Sequence, residues 1–195
     1  MEPRGKWNSK YTDIIANIEE RVPNERLLKL SPYLKGGSAI DIACGLGWNS
    51  FFLSGIGYKV TAVDISDVAI NFVSKQAEKK RLEIRTLVAD MSKGTGFHFK
   101  KDSYDLVLIT YYLDRSLYSK VKDIVKMNGY LFMETFYKTG PGSKKTITEK
   151  YKLESNELLE EFKDWKILYY EECEQEGRQS IFCKKQEYPE SKNRL

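Results

Sequence analysis

The sequence is poor in the residues that carry most metal and thiol chemistry. Its 195 residues include one histidine and three cysteines. Cys44, Cys173 and Cys183 cannot make a full disulfide set, and none stands in C-x-x-C spacing, so neither a disulfide scaffold nor a metal site is expected. His98 lies in a loop between charged and aromatic residues, beside no motif, and is a weak catalytic candidate. Long apolar runs are missing too. The longest, residues 104–113, is broken by Asp105 and Thr110 and is too short to span a bilayer. The chain opens without an apolar stretch, so no signal peptide is expected. These absences together predict a reduced, cytoplasmic protein with no membrane partner. Charge of one sign is not in large excess either: the net charge is +4. That argues against a dedicated nucleic-acid binder. There is no internal repeat and no low-complexity segment.

What is present is an alternation of strands and helices. Hydrophobic residues make up 41% of the chain, enough for a core. Residues 38–42 read as a first strand, followed by glycines and a helix over 48–54. Residues 59–63 read as a second buried strand ending at Asp64, and Ser66 can cap the next helix. In that helix Ala69, Phe72, Val73 and Ala77 recur at three- and four-residue spacing, which gives one apolar face. Residues 82–88 alternate as a third strand, and 91–103 form a loop. Residues 104–109 are nearly all apolar, as expected for a strand covered on both faces. A short helix over 117–125, a turn at Asn128-Gly129, and a fifth strand over 130–136 follow. Residues 139–145 look flexible. A helix over 154–162 and two strands, 166–170 and 179–184, joined by a turn at Gly177, end the ordered part. The pattern predicts an α/β, Rossmann-like three-layer sandwich: a mostly parallel seven-stranded sheet with an antiparallel C-terminal edge hairpin.

In such a sheet, ligands sit beyond the carboxyl ends of the strands near the switch in strand order. Asp41, Asp64, Asp90 and residues 110–112 all fall at or just after strand ends. Gly45-Leu46-Gly47 lies between a strand and a helix, where glycine permits a tight turn and a close backbone approach. The third glycine of a dinucleotide fingerprint is absent, since position 50 is serine. Asp64 can accept both hydroxyls of a ribose. Asp41, just before the glycines, is unwelcome beside a pyrophosphate but suits a cationic ligand. Asp90 can meet an adenine amino group, with Met91 beside the ring.

These motifs resemble those of the class I S-adenosylmethionine (SAM) dependent methyltransferases. Residues 41–47 (DIACGLG) match the first motif, 60–64 the second, 89–90 the third, 103–109 the fourth, and 127–136 the strand after it. Within that superfamily the chain is similar to the small tellurite-resistance-type methyltransferases, at residues 39–49, 62–66, 111–117 and 134–136. Trp7, Asn8 and Tyr11 are similar to a segment that closes over SAM in many such enzymes. The resemblance implies one SAM-binding domain over 1–185, with 1–30 as an N-terminal helical lid segment and 186–195 as a polar tail. It implies SAM as cofactor. Its binding residues would be Trp7, Tyr11, Asp41, Ala43, Gly45, Gly47, Asn49, Asp64, Ile65, Asp90, Met91 and Thr110.

Methyl transfer is an in-line displacement, so a base is needed only if the acceptor must lose a proton. Acceptor-side candidates are Tyr111, Tyr112, Arg115 and Glu134. Tyr111 and Tyr112 can wall a pocket, although Tyr112 also reads as core. Arg115 can bind an anionic acceptor or pair with Asp114 or another surface carboxylate. Glu134 can orient a substrate or bind Arg115. The proline-rich and Pro-Cys motifs of nucleobase methyltransferases are missing, and no separate recognition region is evident. A small-molecule acceptor, such as a soft oxyanion, is therefore expected, with the protein a monomer or homodimer. Two alternatives stay open. One is methylation of protein or RNA across a basic rim of Tyr137, Lys138, Lys144 and Lys145. The other is a SAM-binding module without turnover.

Overall fold

A computed structural model describes residues 2–17, 22–91, 100–139 and 147–186. The chain runs α1 (Pro3–Ala16), α2 (Glu25–Lys29), β1 (Gly37–Ile42), α3 (Trp48–Gly55), β2 (Tyr58–Asp64), α4 (Asp67–Lys80) and β3 (Ile84–Val88). It continues through β4 (Tyr104–Thr110), α5 (Leu117–Ile124), β5 (Val125–Phe136), α6 (Glu157–Glu161), β6 (Lys166–Cys173) and β7 (Arg178–Lys184). The seven strands form one sheet in the order β3-β2-β1-β4-β5-β7-β6. β1 pairs in parallel with β2 and β4, and β5 and β6 pair antiparallel with β7. The order therefore reverses between β1 and β4, with the antiparallel pair at one edge.

The alternation of side chains along each strand makes the two faces. Val107, Ile109, Leu131, Met133, Ile181 and Cys183 point into the larger core, which α5 and α6 cover with Leu117, Val121 and Leu158. Leu106, Leu108, Phe132 and Phe182 point the other way, against Leu27 and Leu30 around α2 and Leu53 of α3. Because both faces of β4 are covered, Leu106, Val107 and Leu108 are fully buried. Each such side chain contributes about 1.5–3 kcal/mol.

α1 differs from the other elements, since none of its residues is buried. It is tied down by polar groups. Asn8 donates to Asp67 Oδ1 at 2.7 Å and accepts from Ser66 Oγ at 2.7 Å. Ser66 also caps α4, accepting from the Ala69 amide. A helix without a buried stripe draws little from tertiary packing, so these contacts set its position.

Three elements depart from the sequence reading. The third strand starts at Ile84, two residues later than expected, because α4 runs to Lys80 and is ended by a left-handed Arg81. Asn128-Gly129 does not separate two elements. It sits inside β5 as an irregularity in the pairing with β4, and Asn128 keeps the positive φ of 68° that a turn would need. The helix expected over 154–162 is only α6, because Asn156 is left-handed at φ 61° and α6 begins after it. His98, residues 140–145 of the flexible segment and most of the polar tail lie outside the described residues. No helix among the described residues is long and apolar enough to cross a membrane.

Candidate functional site

The turn after β1 is strained in the way a ligand cradle is. Ala43, Gly45 and Gly47 all have positive φ, at 58°, 55° and 79°. For alanine the left-handed region costs about 1–2 kcal/mol. A Cβ on Gly45 would stand 3.0 Å from the Tyr11 hydroxyl oxygen, so α1 already lies over the loop. A Cβ on Gly47 would run into Val73 at 2.7 Å, so that glycine serves packing against α4. Tyr111, the residue after β4, is also left-handed, at φ 59°. Ala43 and Tyr111 thus follow the two strands that flank the switch in strand order. Strain of this kind persists where surrounding structure fixes it, often at functional sites.

Asp41 is fully buried at the end of β1. Its Oδ2 accepts from Ser50 Oγ at 2.6 Å, while Oδ1 has no hydrogen-bond partner. Burial pushes this carboxyl up to about 7; the Ser50 bond opposes the rise and the charge of Asp64 adds to it. A buried carboxylate oxygen without a donor is costly, and it is the feature a cationic ligand group would satisfy. Burial also raises the neighbouring Cys44 thiol well above its ordinary value, which leaves it a poor nucleophile.

Asp64 spends its hydrogen bonds on the turn. Its Oδ2 accepts from the Gly45 amide and its Oδ1 from the Ser66 amide, both at 2.9 Å. Each carboxylate oxygen has further acceptor capacity. Burial raises Asp64, against those same amides. Tyr11 is raised further, first by burial and then by the charge of Asp64, so its phenol stays protonated. Trp7 stacks on Tyr11 with ring centroids 5.7 Å apart. Ile65 is half-buried at the start of the β2–α4 turn, Asp90 follows β3, and Met91 is buried in the larger core. Asn49 Nδ2 donates to Thr110 Oγ1 at 3.1 Å, which ties the helix after the glycines to the end of β4.

The other side of the switch is a charged cluster that the sequence reading saw only in part. Glu134, on β5 and 1% exposed, accepts from Asn24 Nδ2 at 2.7 Å and from Ser180 Oγ at 2.8 Å. Arg26 Nη1 lies 3.3 Å from Glu134. The same guanidinium donates to Glu171 at 2.5 Å and Glu176 at 2.9 Å. Burial works against the charge on Arg26, but these carboxylates outweigh it and hold the guanidinium protonated. Asn24 also donates to the Tyr111 hydroxyl at 3.1 Å. Burial raises the Tyr111 phenol, and Glu134 adds to the rise. Arg178 lies over the Tyr111 and Phe136 rings at 4.3 and 4.0 Å. Its Nη1 is buried and has no hydrogen-bond partner. Tyr112 packs its ring against the larger core, as its second reading had it, and burial, followed by the charges of Asp114 and Asp90, raises its phenol.

Arg115 stands apart from this cluster. It makes a two-point pair with Glu157, both bonds 2.7 Å, and donates to the Lys152 carbonyl. Of the two readings of Arg115, the surface ion pair is the one the structure shows, and Glu134 pairs with Arg26 instead. A surface cavity of about 390 Å³ surrounds this pair, lined also by Lys138, Lys152, Glu149 and Glu154. None of the glycine-loop residues lines it. Lys150 lines it too: Lys138 bonds Glu154 and Lys152 bonds Glu149, while Lys150 lies over the Tyr151 ring. Of the residues expected at the site, Arg115 alone lines that cavity. Asn24, Arg26, Arg178 and Ser180 were not anticipated. Pro23-Asn24-Glu25 before an apolar run does signal a helix cap, but nothing local signals where the amide points.

Comparison with known proteins places this geometry in context. Residues 13–180 match the family model described as tellurite resistance protein TehB. A curated relative, the probable S-adenosyl-L-methionine-dependent methyltransferase TehB of Haemophilus influenzae, is 29% identical over 140 residues, 68% of this chain and 47% of its own. The chain spans about half the length of the curated relatives it matches. The crystal structure of TehB from Haemophilus influenzae superposes with a TM-score of 0.75 at 22% identity, covering 89% of this chain and 66% of that one. A SAM-dependent methyltransferase from Aquifex aeolicus superposes with a TM-score of 0.63 at 16% identity, covering 82% and 88%. At these identities the structures establish the shared fold.

Proposed function

From the premise that this chain belongs to the TehB family of tellurite resistance proteins, we propose that it is a SAM-dependent methyltransferase acting on a small anionic acceptor. The observation that carries the proposal is Asp41: fully buried, with one oxygen unpartnered, at the foot of a strained glycine turn. That donor set suits a ligand with an ammonium and a sulfonium, and it disfavours a pyrophosphate. Asp41 and Gly45 would hold the amino-acid end of SAM and Asp64 the ribose hydroxyls. Ile65, Asp90 and Met91 would border the adenine, and Trp7 and Tyr11 would cover the site from α1. Ala43, Gly47, Asn49 and Thr110 shape the turn and the boundary toward the acceptor.

When bound, SAM supplies a methyl group already activated by positive sulfur. The protein then has to align the acceptor, exclude water and balance charge. An acceptor that is already an anionic nucleophile needs no base, which fits a site whose described residues contain no histidine. The buried, unpartnered Nη1 of Arg178, held between Tyr111 and Phe136, supports an oxyanion as acceptor. The family name points the same way, toward tellurium oxyanions.

The test has two steps. Calorimetry with SAM and S-adenosylhomocysteine should show binding, and no binding at millimolar concentration would sink the proposal. Label from methyl-labelled SAM should then pass to tellurite, selenite or small thiols. Transfer to total protein or RNA, and to none of the small acceptors, would overturn the acceptor assignment.

A further inference from the structure

One residue joins Tyr111, Glu134 and the start of α2. Asn24 stands before α2 and is 9% exposed. Its Oδ1 accepts from the Arg26 and Leu27 amides at 3.0 and 3.1 Å, which caps the helix. Its Nδ2 donates to Glu134 Oε1 at 2.7 Å and to the Tyr111 hydroxyl at 3.1 Å. Its backbone N–H donates to Asn49 Oδ1 at 2.8 Å, and Asn49 in turn holds Thr110. A cap needs only the oxygen, and serine or aspartate would serve there. What asparagine adds is the NH2 group, whose two hydrogens go to two different acceptors.

We propose that Asn24 is a positioning residue for methyl transfer. Its amide nitrogen fixes the Tyr111 hydroxyl and the Glu134 carboxylate, while its backbone locks them in register with Asn49 and Thr110 beside the glycine turn. The distance between acceptor and methyl group is thereby set through one side chain. Tyr111 needs such a tether because it is 50% exposed and sits on a left-handed backbone, so burial alone does not direct its ring. Without the amide, Glu134 lacks one donor, and the Tyr111 hydroxyl loses the group that ties it to α2 and Asn49. A displacement of about 1 Å in an aligned site can cost on the order of 100-fold in rate.

The inference rests on the methyltransferase reading, and the experiment separates the two. Asn24→Ser and Asn24→Asp both keep a capping oxygen and both lose the NH2 group. S-adenosylhomocysteine affinity is measured by calorimetry, and kcat with tellurite or selenite is expressed per S-adenosylhomocysteine-binding site. Misfolded protein then drops out of the comparison. The expected result is affinity within about 3-fold of wild type and kcat per site at least about 20-fold lower. Tyr111→Phe should lose a comparable factor, and Asn24→Ser with Tyr111→Phe should lose no more than either alone. Unchanged kcat per site, or losses that multiply in the double variant, would overturn the inference. If neither Asn24 variant folds, Tyr111→Phe decides: undiminished kcat per site leaves nothing for Asn24 to position. A wild-type protein that binds no S-adenosylhomocysteine, or binds it and transfers no methyl group, removes the methyltransferase reading and this inference with it.

Discussion

The glycine-loop side and the acceptor side of the site lie at the ends of adjacent strands, β1 and β4, yet they are built from different materials. On the glycine-loop side the work falls to backbone. Asp64 is held by the Gly45 and Ser66 amides, three residues within five are left-handed, and the groups involved are close in sequence. On the acceptor side the work falls to side chains brought from far apart. Asn24 reaches Tyr111 and Glu134 across 87 and 110 residues, and Arg26 reaches Glu176 across 150. The first side carries a carboxyl with one unpartnered buried oxygen, Asp41 Oδ1. The second carries a guanidinium with one unpartnered buried nitrogen, Arg178 Nη1. The difference matches the proposed division of labour: a cation-bearing cofactor would lie on one side and an anion on the other, with the sheet's switch point between them.

The largest effect should come from filling the backbone cradle. Gly45→Val forces a β-branched residue into φ 55° and places its Cβ 3.0 Å from the Tyr11 oxygen. S-adenosylhomocysteine affinity should fall by at least about 100-fold in calorimetry, the strain and the lost space acting together. The acceptor-side cluster shares no atom with this change, so far-ultraviolet circular dichroism should stay near wild type. Retained affinity would show that the turn is a structural kink and would dissolve the distinction between the two sides.

That backbone side was the legible one, for a physical reason. A tight turn between a strand and a helix restricts which residues can occupy it, so Gly45, Gly47, Asp41 and Asp64 stand out by their spacing. The seven strands were legible because β1 and β4 are buried on both faces and must be apolar. Ala43 was placed at the site, but its left-handed φ has no signature in an alanine. On the other side, Tyr111 and Glu134 could be picked out because Tyr111 directly follows β4 and Glu134 stands two residues before the end of β5. That side was not legible at Asn24, Arg26 and Arg178, because a lone asparagine or arginine outside a motif reads as surface. Their partners are fixed only when α2 docks and the β6–β7 hairpin pairs onto β5. Arg115 shows the converse: its place after β4 suggested an anion site, and its real partner, Glu157, lies 42 residues on.

A smaller effect should appear with pH, and it sharpens the charge contrast. Asp41 titrates near 7 because burial disfavours its charge. In the proposed complex a cation faces it, which favours the charged form. The sign follows: ligand binding pulls the carboxyl down, so affinity should rise as pH rises through about 7. Between pH 6 and pH 8 the gain should approach 10-fold if only the ionised form binds. Asp41→Asn should bind more weakly at pH 8 and show no such rise. Folding runs in the opposite direction. A carboxyl raised in the folded state weakens stability as pH climbs from about 4 toward 7, so Asp41→Asn should gain thermal stability relative to wild type across that range. Affinity of the wild type that falls between pH 6 and pH 8 would mean that Asp41 does not face the cation.

The smallest effect tests where the acceptor side ends. Arg115 is 45% exposed in its side chain and is matched by Glu157. Exposed pairs contribute at most about 1 kcal/mol, and screening reduces that further. Glu157 would keep two other donors after the arginine is gone, the Tyr118 hydroxyl at 3.0 Å and the Glu154 amide at 2.9 Å. Arg115→Ala should therefore lower the melting temperature by about 3 °C or less. Its kcat/KM for a small oxyanion should stay within about 2-fold of wild type, since Arg115 shares no partner with Glu134 or Arg178. A 10-fold loss in kcat/KM with unchanged S-adenosylhomocysteine affinity would extend the anion-binding side across α5 to α6. It would also mean that the Glu157 pair opens during turnover, so that the cavity beside it belongs to the site after all.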